Sequence, residues 1–407
     1  METRIQSSTP PIGWYVHLPF CRTKCGYCDF YSLPTISALI PDLVRVIVGE
    51  ITARNPNRIV RTIFVGGGTP TELPAENLEE LLEAIGRMAG DGVIEWSVEA
   101  NPTSASELKL DVLRRNGVNR VSFGAQSFFA DELATLERIH DPAHIPESIE
   151  AARRAGFDNV NLDLIYGIPG QSMARWRESL TRAIDLGTDH LSCYALMYEP
   201  GTAMTRFREQ GRVTPCDESL EADMFEATID ILAGAGYEQY EISNFARPGR
   251  RCEANMIYWR NEEYLGVGPS AVSYLDGERR RNIADVRRYV AQTPSDPNAI
   301  VVERETLTPL ARAAETAIQM LRLIDGIDRA TFASATGYDA NALFAGVITE
   351  MTSAALIEAT PSHVRLTRRG QLLSNYVMRA FLDAADQPKR PVANESQFVT
   401  LNVDTPE

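Results

Sequence analysis

Short β-branched or aromatic runs alternate with longer helical patterns across residues 13–290, and this alternation predicts an α/β fold with a parallel sheet. Six such units predict a partial (β/α)6 barrel, an open relative of the eight-stranded barrel. A Pro-, Ser- and Asn-rich stretch at 291–301 then reads as a linker, and the helices and hairpin beyond it suggest a winged-helix-like module.

The candidate strands are Trp14–Leu18, Thr62–Val65, Ile94–Val98, Arg120–Phe123, Val160–Leu164 and Leu191–Leu196. Helical patterns fall between them at Ala38–Arg54, Leu78–Met88, Ala105–Asn116 and Ala174–Leu186. In the C-terminal part, Thr308 and Pro309 look like an N-cap and first helical position for a helix over Leu310–Leu323. Helices over Arg329–Thr336 and Ala340–Thr352, strands over Ala355–Ala359 and His363–Leu366, and a helix over Thr367–Leu382 complete the module. The expected division is an arm at 1–12, a core at 13–290, the linker, a second domain at 302–384 and a disordered polar tail at 385–407.

With 407 residues, 44% hydrophobic and 23% charged, the chain has the balance of a soluble globular protein. No apolar run approaches the ~20 residues of a membrane span, and Met1–Pro10 has no apolar core of a signal peptide, so the expected location is cytoplasmic. A net charge of −15 would repel a phosphate backbone, which argues against nucleic acid as a partner. Cys193, Cys216 and Cys252 are scattered, and in a reducing compartment disulfides are not expected.

The other three of the six cysteines crowd into His17-Leu18-Pro19-Phe20-Cys21-Arg22-Thr23-Lys24-Cys25-Gly26-Tyr27-Cys28. Thiolates are the ligands of iron–sulfur clusters. Three of them leave one iron of a 4Fe–4S cubane open, as ligand binding at a cluster requires. The C-x3-C-x2-C spacing lets one tight loop reach three corners of the cube, with Gly26 relieving crowding and Tyr27 placed to shield the cluster or stack on a base. The competing reading is a zinc site, but zinc structural sites use four N/S ligands, usually in two separated pairs. His17, the one nearby candidate for a fourth, ends a predicted strand and reads as packed.

In a parallel barrel the chemistry collects at the C-terminal strand ends. Here those ends carry Gly66-Gly67-Gly68-Thr69-Pro70, Glu99-Ala100-Asn101-Pro102, Gly124-Ala125-Gln126-Ser127 and Asp163-Leu164-Ile165-Tyr166-Gly167. The glycines allow close backbone approach to a ligand, and a carboxylate such as Glu99 can accept from a ribose diol or bind an ammonium. Singly, Gln126 or Asp163 reads as a cap or turn residue; together at successive ends they read as one ligand site. Arg138 and His140 follow a helical stretch, and a surface ion pair or cap competes evenly with a role in that site.

These residues resemble radical S-adenosylmethionine (SAM) proteins of the oxygen-independent coproporphyrinogen III oxidase (HemN-like) group, over about Gly13 to Leu382. Within the group the chain is most similar to the HemW-like heme-chaperone branch. Cys28-Asp29-Phe30 lacks the further cysteine that the oxidase branch carries at the Phe30 position, and the arm before Cys21 is short. The segments Tyr237–Gly249 and Tyr258–Pro269 also resemble the chaperone branch. The resemblance implies a radical SAM barrel with a winged-helix-like C-terminal domain that does not read DNA. It implies cluster ligation by Cys21, Cys25 and Cys28, and a SAM pocket lined by Tyr15, Gly67, Glu99, Gln126, Arg138 and Asp163, with Tyr27, Gly68 and Thr69 beside it. It further implies heme and a heme-receiving protein as partners, with coproporphyrinogen III oxidase activity not expected and SAM cleavage left open.

Two positions depart from the branch. Its His-Asn-x-x-Tyr-Trp run is here Ala254-Asn255-Met256-Ile257-Tyr258-Trp259, and the histidine of Gly-Pro-Gly-Ala-His-Ser is here Val272. Neither side chain can ligate iron. A thiolate at Cys252, two residues before Ala254, is the nearest substitute, against the alternative of an ordinary loop cysteine. On this reading Ala254→His would restore a heme ligand. The competing functions are a heme carrier, a radical-generating oxidase and a cluster protein kept for its interactions.

Overall fold

The computed structural model describes residues 10–386, so the expected arm up to residue 9 and the tail from 387 onward lie outside the described residues. In chain order the strands are β1 (Ile12–Leu18), β2 (Phe20–Cys21), β3 (Leu33–Pro34), β4 (Val60–Gly67), β5 (Glu95–Ala100), β6 (Arg120–Gln126), β7 (Val160–Tyr166) and β8 (His190–Ala195). They continue with β9 (Glu238–Gln239), β10 (Asn244–Ala246), β11 (Tyr264–Val267), β12 (Val272–Leu275), β13 (Glu278–Asn282), β14 (Val301–Thr306), β15 (Ile327–Asp328), β16 (Ile357–Ala359) and β17 (His363–Leu366).

Strands β1, β4, β5, β6, β7 and β8 pair in parallel in that order, as the alternation predicts. Their residues are buried on both faces, the pattern of a sheet covered by helices. Crossover helices at Ile40–Arg54, Ala75–Ala89, Glu107–Arg115, His144–Arg154 and Met173–Asp185 supply the cover, and Trp176 is fully buried.

A seventh parallel strand was not expected. β11 pairs with the free side of β1, and β12, β13 and β14 extend that edge antiparallel, while β10 and β9 extend the other. The strand reading missed β11 because it is four residues long and its partner lies about 250 positions earlier. The linker expected at 291–301 is shorter in the structure: a helix runs to Gln292, and Val301 already opens β14, which belongs to the large sheet.

The C-terminal part has its own apolar core, with Phe332, Phe344 and Phe381 at its centre. Its helices surround a three-stranded sheet, β15-β17-β16, one strand more than expected. The helix expected over Ala340–Thr352 breaks at Phe344, and the one over Thr367–Leu382 is two helices, Arg368–Leu372 and Ser374–Asp386. Gln239 bonds Gln371, Ile242 bonds the Arg322 carbonyl, and Arg322 pairs with the buried Glu241, tying this part to the barrel edge. Among the described residues no helix is long and apolar enough to cross a membrane.

Glu50, fully buried on the first crossover helix, locks the distant edge to the core. Its carboxylate accepts from Arg54 and Asn282 on one oxygen and from Tyr289 and the Gly268 amide on the other. Removing one partner of a buried ion pair costs about 3–5 kcal/mol, because the other charge is left uncompensated. Glu50→Ala should therefore lower unfolding free energy by about that amount in urea titration, whereas Tyr289→Phe, which removes one hydrogen bond, should cost about 1 kcal/mol.

Candidate functional site: a cluster loop over a barrel cavity

The strand ends open into a cavity of about 500 Å³. Cys21, Cys25, Cys28, Tyr27, Gly67, Gly68, Thr69, Glu99, Gln126, Arg138 and Asp163 all line it. Tyr15 does not. Its hydroxyl donates to His17 Nδ1 at 2.9 Å, and its ring stacks on Phe64, which does line the cavity. Tyr15 is partly buried beside that wall, its ring against Phe64 of the neighbouring strand.

The cluster loop is held over the cavity by backbone contacts to the glycine turn. The Gly68 amide donates to the Leu18 carbonyl at 2.7 Å and the Thr69 amide to the Phe20 carbonyl at 2.8 Å. A Cβ on Gly68 would lie 2.7 Å from the Phe20 oxygen, and one on Gly67, at φ +102°, would lie 2.4 Å from the His17 ring. Glycine is thus required here on both conformational and steric grounds. His17 is packed, as expected: Nε2 donates to the Tyr31 carbonyl at 2.8 Å and Nδ1 accepts from Tyr15. Burial pushes its pKa down to about 4, so it is neutral.

The three thiols fit a cluster. Cys21 receives the Thr69 hydroxyl at 3.6 Å and Cys25 receives Arg138 Nη1 at 3.4 Å. Burial, together with the mutual repulsion of the three sulfurs, raises the Cys21 thiol and pushes the Cys28 thiol up to about 11. Three thiolates so placed need a cationic centre among them, which cluster irons supply.

Arg138 resolves in favour of the site: Nη2 donates to the Gly124 carbonyl at 2.5 Å while Nη1 reaches Cys25. His140 does not line the cavity; it is buried and its Nε2 bonds the Ala125 carbonyl at 3.0 Å, a structural role. Gln126 sits at φ +64°, at a register shift between β6 and β7. Left-handed backbone is unfavourable for a residue with a side chain, and bulges of this kind re-aim side chains beside sites.

Glu99 accepts the Gly67 amide at 3.0 Å. Burial first, and then the nearby Asp163, pushes its pKa up to about 7. Burial also raises Asp163, opposed by hydrogen bonds from Ser192, Asn161 and Ser122. Asn161 in turn accepts from His190 Nδ1 at 2.6 Å, and His190 Nε2 accepts from Tyr240 at 2.9 Å, so Asp163 heads a fully buried polar chain. Ser122, Asn161, Ser192 and Arg120 also line the cavity. Sequence reasoning missed them because they lie within strands rather than at strand ends, although their period-2 spacing with Gly124 and Asp163 carried the signal.

Of the positions read against the absent histidines, Cys252 borders the cavity and Ala254 is packed. Cys252 has no solvent exposure but borders the cavity; its thiol donates to Glu95 at 3.4 Å, and burial pushes its pKa up to about 12. Ala254 is 4% exposed and packs with Tyr240, Ala246, Cys252 and Met256. Val272 opens β12, half-buried opposite Arg281.

An acceptor carboxylate must be ionised. If Glu99 receives donors of SAM, affinity should rise with pH through about 7 and level off above it, since protonation of Glu99 competes with binding. Glu99→Gln should flatten that profile and weaken binding roughly tenfold, measured by calorimetry from pH 5.5 to 8.5.

Comparisons with known proteins show what the chain is similar to. Residues 15–183 match the model of the radical SAM superfamily, and residues 307–373 that of the HemN C-terminal domain. The chain is 35% identical over 373 residues to the heme chaperone HemW of Bacillus subtilis, covering 90% of this chain and 98% of that one. It is 32% identical to the heme chaperone HemW of Escherichia coli, covering 92% and 98%. Among solved structures it resembles coproporphyrinogen III oxidase (HemN) from Escherichia coli, a radical SAM enzyme, at 25% identity and a TM-score of 0.77, covering 91% and 90%. Identity at this level across nine-tenths of the chain places it in the radical SAM superfamily and, within it, in the family of the heme chaperone HemW.

Proposed function

We propose that this protein delivers heme in the cytoplasm to a receiving protein, using a 4Fe–4S cluster on Cys21, Cys25 and Cys28 and SAM bound in the barrel cavity. The observation that carries the reading is the single cavity into which the three thiols, Arg138 and the strand-end residues Gly67, Glu99, Gln126 and Asp163 converge. When bound, the cluster offers SAM an open iron site and a source of single electrons. The chain's own residues orient the ligand. Gly67 and Gly68 let the methionyl end approach the backbone, Thr69 and Arg138 steady the sulfurs of Cys21 and Cys25, and Glu99 and Asp163 supply acceptors. Tyr27, packed with Leu136, Ile165, Ile168 and Leu196, closes one side against water.

Oxidase activity is the second reading, favoured by the fold shared with HemN. Phe30, 61% exposed at the cavity mouth, occupies the position where the oxidase branch carries a further cysteine, which weighs against it.

Anaerobic reconstitution should load about four iron per chain, and Cys21→Ala, Cys25→Ala or Cys28→Ala should each abolish it, while Cys216→Ala should not. Retention of iron by all three variants would refute the cluster. Hemin titration of the loaded protein should show a saturable Soret change, and its absence would refute the delivery role. Ala254→His should not tighten hemin binding, because its ring would be forced into a packed interior. Overpacking of this kind costs about 1–3 kcal/mol, read as a lowered Tm.

A further inference from the structure

Arg120 opens β6, and its side chain points into the barrel on the same side as Ser122 and Gln126. Register sets Arg120 beside Ser97 and Ser122 beside Glu99. Two residues of strand separate the levels, so Arg120 lies about 7 Å deeper than Glu99, measured from the strand ends. It borders the cavity and is 2% exposed.

Among the described residues this guanidinium forms no close ion pair, although Glu95 and Asp163 lie near enough to act on its charge; Nη1 donates to Ser97 Oγ at 3.3 Å, and Nε has no partner. Arginine is rarely buried without a counter-ion, since removing the charge from water is costly. The carboxylates around it are engaged elsewhere. Glu95 accepts from Cys252 and the amides of Glu253 and Ala254, Asp163 from Ser122 and Asn161, and Glu99 from the Gly67 amide. The fold thus holds a fixed cation with free donors at the base of a cavity whose other cation, Arg138, serves the cluster side.

We propose that Arg120 anchors a second ligand subsite, deeper than the SAM residues, that takes a carboxylate group. A guanidinium fork matches a carboxylate with two parallel hydrogen bonds. The carboxylate comes either from a small acid or from an acidic arm of a larger ligand such as a tetrapyrrole propionate. Only the second source rests on the heme reading.

The test uses cluster-loaded wild type, Arg120→Met and Arg120→Lys. Thermal unfolding is followed with sodium propionate against sodium chloride at equal ionic strength, and binding with hemin against hemin dimethyl ester. Wild type should gain Tm with propionate beyond chloride, or prefer hemin over its ester by about tenfold. Arg120→Met should lose that response. Arg120→Lys keeps the charge but not the fork, and should lose most of the response. A response to propionate alone identifies a small acid; an acid-over-ester preference identifies the arm. The subsite is overturned if wild type shows neither response, or if the variants keep it. A lower ligand-free Tm with unchanged carboxylate response would make Arg120 structural. Should Arg120→Met fail to fold, wild type and Arg120→Lys decide by the same outcomes. Failure of hemin binding in wild type alone would strike the heme reading and leave the propionate arm to judge the subsite.

Discussion

The site depends on one close backbone approach, the seating of Gly66-Gly67-Gly68 against the chain that leaves β1. Hydrogen bonds from Gly68 and Thr69 to the carbonyls of Leu18 and Phe20 leave no space for a Cβ at Gly67 or Gly68. That contact carries the cysteine loop out over the strand ends instead of away from them. It also sets Thr69 beside Cys21 and offers the Gly67 amide to Glu99. A methyl group at either glycine would lift the loop, and the thiols would no longer face the carboxylates across one cavity.

Within that frame the cavity is electrostatically layered. Near the mouth, Arg138 offsets the sulfurs. In the middle, Glu99 and Asp163 are raised by burial yet stabilised by amide, hydroxyl and side-chain amide donors. At the base, Arg120 supplies a positive charge that acts on Glu99 and Asp163 without a close ion pair, and its Nε has no hydrogen-bond partner. Buried charges in such an arrangement favour ligands that bring complementary groups, so the cavity selects by charge as well as by shape.

The departures from the chaperone branch concern the far wall. Ala254 and Cys252 begin the helix Glu253–Trp259, whose N-terminal amides bind Glu95. That contact turns both residues inward. The substituted alanine is thus a packing residue in this chain, and the nearby thiol is a donor to a carboxylate.

Much of this was determined by the sequence alone. The C-x3-C-x2-C loop, the glycine run and the polar residues at successive strand ends are local patterns, and local patterns are legible because a strand's end and the turn after it are written in adjacent residues. Six parallel strands and the gathering of Glu99, Gln126 and Asp163 followed from them. Tertiary structure alone decided the rest. Tyr15 turned its hydroxyl to His17 and its ring to Phe64. β11 joined β1 from across the chain, and β14 joined the sheet where a linker was expected. Arg138 turned toward the sulfurs while His140 turned into the core. Arg120, unremarkable in the sequence as the first residue of a strand, became a buried unpaired cation only when the barrel closed around it. Burial, register and charge environment are properties of contacts between distant residues, and no local pattern encodes them.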